Sequence, residues 1–110
     1  MKLKEEMYVR TKRGQIGKIT TIGKYNIAVE FNGMWQDIVS KTNIAKEPSF
    51  NIIDLIENGD YVNGYKVDFV QNNEIIFNHN HPTKLNIFAK DIKSIVTKEQ
   101  FDNIAYKIRQ

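Results

Sequence analysis

The sequence predicts an all-β protein with minor helix, and three observations carry that expectation. Apolar and polar residues alternate over short runs, as in Ile27-Ala28-Val29-Glu30-Phe31, the period of a strand with one face buried. Glycine, asparagine and proline break these runs at short intervals, which is where turns belong. Helical signals are short: apolar residues at helical spacing over 52–56, and a helix-start signal near 97–103.

Taken in order, Tyr8-Val9-Arg10-Thr11 reads as a first strand, ended by Lys12-Arg13-Gly14. Residues 15–22 form a second strand and Gly23-Lys24 a turn. Residues 25–31 make a third strand, with Ile27, Val29 and Phe31 on one face. Asn32-Gly33 is a tight hairpin signal, because a two-residue turn needs positive φ at both positions. A fourth strand covers 34–40 and a closing turn 41–44. Val9, Ile19, Ile27, Val29, Phe31 and Val39 are the expected core of this half.

Glu47-Pro48-Ser49 is the expected boundary, since proline ends ladder pairing and restricts its predecessor. Beyond it, 51–56 predicts one helical turn stopped by Gly59, with Asp60 capping a turn. Tyr61-Val62 and Tyr65-Lys66-Val67 flank a second tight turn, Asn63-Gly64. Residues 74–78, 85–89 and 93–97 read as strands, and 106–108 as an edge strand. Thr97 followed by Glu99-Gln100 predicts a capped helix near 98–103. Each half therefore reads as a meander opening on Tyr-Val. Two architectures fit: two tandem small barrels, residues 1–47 and 48–110, or one continuous meander with short helical turns.

The chain has 110 residues and no cysteine, so disulfides, thiolate metal sites and cysteine nucleophiles are excluded. The charge is uneven. Residues 1–48 carry nine Lys/Arg against five Asp/Glu, and the remainder seven against eight. A basic half beside a near-neutral half suggests one module facing an anionic partner. The start MKLKEEMYV lacks a signal-peptide core and no apolar run reaches membrane-span length, so a cytoplasmic protein with no membrane partner is expected. A chain this short buries a modest core, which makes a homodimer a natural supplement.

The run Gly14-Gln15-Ile16-Gly17-Lys18-Ile19-Thr20-Thr21-Ile22 resembles the KOW motif and related SH3-like barrels, with a glycine at a strand start ahead of Ile19 and Ile22. Gly14 would turn the chain, and Gly17 would remove a side chain where strands approach closely. The resemblance covers residues 7–45 and implies a fold more than an activity, because such barrels bind RNA, DNA, peptides and proteins alike. The segments NIIDLIENGDYVNGYKV and DIKSIVTKEQFDNIAYKI resemble the C-terminal part of small proteins of Firmicutes phages and prophages. That resemblance implies accessory phage biology in the host bacterial cytoplasm. It points to non-catalytic inhibitors or modulators of host defence, anti-CRISPR proteins among them, acting on a host protein or ribonucleoprotein complex.

The candidate binding residues are Arg10, Lys12, Arg13, Lys18, Lys24, Tyr25 and Trp35, with Tyr8 as a further ring. Interleaved cations and rings suit single-stranded nucleic acid, where charge follows the backbone and rings accept bases. The same cations on a small sheet also deter edge-to-edge pairing. Trp35, the only tryptophan, is a partner anchor if it faces outward and core if inward. His79 and His81 are spaced to share a strand face and a metal, but His-Asn-His-Pro also reads as a turn. No nucleophilic triad and no glycine-rich phosphate loop are visible, so neither an enzyme nor a cofactor is expected. Direct binding of RNA or DNA is the alternative function, and oligomeric sequestration of a nucleotide signal a third.

Overall fold

The computed structural model describes residues 2–31, 35–77 and 86–102. The chain is mostly β and divides into two compact units, Met1–Leu55 and Ile56–Gln110. The break falls after Leu55, whereas the sequence reading placed it after Glu47. The reason is local. Tyr8 N donates to Ser49 O at 2.7 Å and Ser49 N returns a bond to Tyr8 O at 3.1 Å. These bonds hold the stretch beyond Pro48 against the first strand.

In the first unit β1 (Tyr8–Arg10), β2 (Ile16–Ile22), β3 (Asn26–Phe31) and β4 (Trp35–Ser40) form one antiparallel sheet in chain order. Val9, Ile19, Ile27, Val29, Phe31, Val39 and Ile44 make the core, as the alternation predicts, with Leu3, Met7 and Ile22 packed on it. Gly17 is required where it stands: a Cβ there would lie 2.5 Å from Val29 Cγ1 and 2.7 Å from Glu30 O. Asn32-Gly33 lies outside the described residues, but Phe31 pairs with Trp35, leaving three residues between the paired ends instead of two. After β4 a 3-10 turn, Lys41–Asn43, leads back to β1 through the bridge Thr11–Ile44.

In the second unit β5 (Tyr61–Val62), β6 (Tyr65–Gln71), β7 (Glu74–Phe77), β8 (Asn86–Ile87) and β9 (Ile95–Val96) form a sheet ordered β8-β7-β6-β5-β9. Asn63-Gly64 makes the expected tight turn, with φ of 52° and 86°. Strand β6 runs on past Val67 to a second such turn, Asn72-Asn73, whose φ values are 51° and 61°; this asparagine pair was missed in the sequence. The turn expected at 51–56 is a 3-10 turn, Ile52–Leu55, and it buries Ile53 and Leu55. Helix α1 spans residues 98–102 of the described chain. Its start is the expected capping box: Thr97 N donates to Gln100 Oε1 at 3.0 Å and Gln100 N to Thr97 Oγ1 at 3.4 Å. The edge strand expected at 106–108 lies outside the described residues.

The two units share one register. Ile19–Val29, Ile22–Ile27, Ala28–Ile38 and Ile27–Val39 pair in the first. Forty-eight residues on, Val67–Phe77, Val70–Ile75, Ile76–Asn86 and Ile75–Ile87 pair in the second. Both second strands carry a register shift at the same place, between Ile19 and Thr21 and between Val67 and Phe69. The 3-10 turns Lys41–Asn43 and Ala89–Asp91 obey the same offset. Among the described residues neither sheet closes into a barrel; what the units share is a strand order and a register.

Candidate binding surface

The cationic cluster read from the sequence does not exist as one patch. Arg10 is 0% exposed. It points into the first unit, where Nη1 donates to Leu55 O at 2.9 Å. It therefore contributes to holding the fold and is not available to a phosphate, and it does not share a strand face with Lys12, which already belongs to the turn after β1. Lys12 and Arg13 are exposed in that turn. Lys24 and Tyr25 lie at the opposite end of β2, whose seven residues separate the two turns by roughly 20 Å. Lys24 Nζ sits 5.4 Å from the Tyr25 ring centre, and Lys41 Nζ donates to Lys24 O at 3.0 Å. Lys18 lies on the outward sheet face opposite Tyr8, with Nζ 5.3 Å from that ring centre and 3.8 Å from Glu6 Oε2.

What the fold brings together instead is an edge. Strand β4 closes the order β1-β2-β3-β4, and its first four residues are exposed. Trp35 combines both orientations considered for it. One side of the indole packs on buried Phe31, with centroids 4.8 Å apart at 36°, yet 46% of the residue stays open. Ile38, not singled out in the sequence, is 66% exposed. It pairs with Ala28 on the outward face, while its neighbour Val39 pairs with Ile27 and fills the core. The signal was present, because once Phe31 faces Trp35, Ile27 must face Val39. Between them, Asp37 Oδ1 accepts the Ile38 backbone N–H at 2.8 Å, taking up a donor that an edge strand would otherwise offer to another chain.

Among the described residues no three His, Cys, Asp or Glu side chains gather around one point; His79 and His81 lie outside the described residues. Nor is any helix among them long and apolar enough to cross a membrane. No protein-family model matches the chain, and no curated protein or solved structure matches it.

Proposed function

We propose that the chain is a non-catalytic binding protein that docks a host protein or ribonucleoprotein complex through the β4 edge of its first unit. Trp35 and Ile38 are the anchors, and occlusion of the partner's working surface is the mechanism. The phage-like segments named above extend this reading to inhibition of a bacterial defence complex. The observation that carries it is the Trp35 ring, pinned from below by Phe31 and half open above. Pre-ordered aromatic side chains lose little entropy on binding and dominate interface energetics. Asp37 takes up the Ile38 donor in the middle of this edge, which favours contact through side chains over strand addition.

The separated cationic turns support a second reading, direct RNA or DNA binding through Lys12, Arg13 and Lys24. Affinity capture and quantitative binding with three full-length forms separate the two. Trp35→Ala with Ile38→Lys should abolish partner binding, while Lys12→Ala with Arg13→Ala should leave it within about two-fold. The reverse pattern, with a steep loss of binding on added salt, would replace the protein-docking reading by the nucleic-acid one.

A further inference from the structure

The 48-residue offset lets each unit serve as the control for the other. Between Lys18 and Ile44 only four residues recur at that offset: Lys18/Lys66, Ile27/Ile75, Asn32/Asn80 and Ile44/Ile92. Ile27 and Ile75 are buried core. Lys18 and Lys66 are not core. Each stands opposite a tyrosine on the outward face, Tyr8 across from Lys18 and Tyr61 across from Lys66.

Around that shared pair the two outward faces differ. The first carries Thr21 and Ser40 where the second carries Phe69 and Phe88, 43% and 47% exposed. The register shift at Asp68 is what turns Phe69 outward alongside Ile76; without it, Lys66 and Phe69 would point to opposite faces. Phe101 of α1 stacks on Tyr61 with centroids 5.0 Å apart. The same scaffold is built with threonine and serine in the first unit, so Phe69 and Phe88 are not demanded by the fold.

We infer that the outward face of the second sheet is a platform for single-stranded nucleic acid, with Tyr61, Phe69, Phe88 and Phe101 taking bases and Lys66 a phosphate. Lys66 decides between this occupant and an apolar protein. It is exposed on β6, the middle strand of the five. The centre of a protein interface is depleted in lysine because its ammonium would lose water without recompense. A phosphate backbone gives that ammonium a partner, and the flanking rings accept bases of any sequence. The sheet's two carboxylates, Asp68 and Glu74, are half-buried. The unit as a whole carries seven cations and seven anions over 56–110. Attraction is therefore local, and the salt dependence of binding should be shallow.

The test is fluorescence anisotropy of the full chain on labelled oligo(dT) and oligo(rU) at low and near-physiological salt. Phe69→Ala and Phe88→Ala should each weaken binding by at least about five-fold, the loss of one stacked base. Lys66→Ala should lower the logarithmic salt slope by about one. Thr21→Ala, the matching position in the first unit, should change nothing. No binding at low salt, or binding indifferent to both phenylalanine variants, would overturn the inference. So would a protein partner captured through Phe69 and Phe88 in the absence of nucleic-acid binding.

Discussion

Arg10 and Leu55 are joined by a buried bond, Nη1 to carbonyl oxygen at 2.9 Å, that ties the first strand to the last turn of the first unit. A cation that looked like surface charge is a structural strut.

Arg10→Ala should therefore destabilise the first unit by about 3 kcal/mol or more, through lost packing and a stranded carbonyl. Lys12→Ala, two residues away and exposed, should stay within about 0.5 kcal/mol. Chemical denaturation of both variants checks the contrast. Equal and small effects would mean that Arg10 can leave its site at little cost.

Gly17→Ala places a methyl group against Val29 and the Glu30 carbonyl at distances no relaxed contact allows. Overpacking of this kind costs about 1–3 kcal/mol. Gly23→Ala, at an exposed turn with its nearest contact at 3.0 Å, is the milder comparison, and thermal melts of the pair should keep that order.

Asp60 is buried, and its two carboxylate oxygens accept Glu57 N at 2.7 Å and Lys98 N at 2.9 Å. It fastens the start of α1 to the turn ahead of β5, the capping role its position after Gly59 suggested. Asp60→Ala should cost about 2–3 kcal/mol and speed amide exchange at Lys98. Asp60→Asn, which keeps one acceptor, should cost less. Unchanged exchange at Lys98 in the alanine variant would remove the capping role.

Asp37→Ala frees the Ile38 backbone donor on an exposed edge strand. Sedimentation should show the variant self-associating at concentrations where the parent protein does not, because unguarded edges recruit further strands. If variant and parent sediment alike, the carboxylate is not a guard.

The alternation in β2 and β3 was enough to read the core of the first unit, and the Tyr-Val echo was enough to suggest two similar halves. Both are period-two signals set by burial, which sequence carries directly. The site was harder to read. Arg10 and Lys12 look alike as letters, and only the pairing of Ser49 with Tyr8 and the position of Leu55 show that one is enclosed. Ile38 and Val39 are adjacent β-branched residues, and which one faces out depends on a single residue of loop length after Phe31. The outward direction of Phe69 depended on the register shift at Asp68, which no local pattern announces.

Asn63 fastens the returning strand of the second sheet with three side-chain bonds, donating to Asp91 O at 2.9 Å and accepting Lys93 N at 2.7 Å and Ser94 N at 3.1 Å. Its successor is Gly64, the residue least able to shield an asparagine amide from attack by the next backbone nitrogen. Attack of Gly64 N on Asn63 Cγ expels ammonia and leaves a succinimide that water opens to aspartate or isoaspartate. Both lose the nitrogen that donates to Asp91 O, and isoaspartate also reroutes the backbone through the side chain. Chemical ageing should then be felt first at this fastening. Amide exchange on long-stored protein should rise at Lys93 and Ser94 before it rises along β7, and uniform exchange would show that the fastening survives the change.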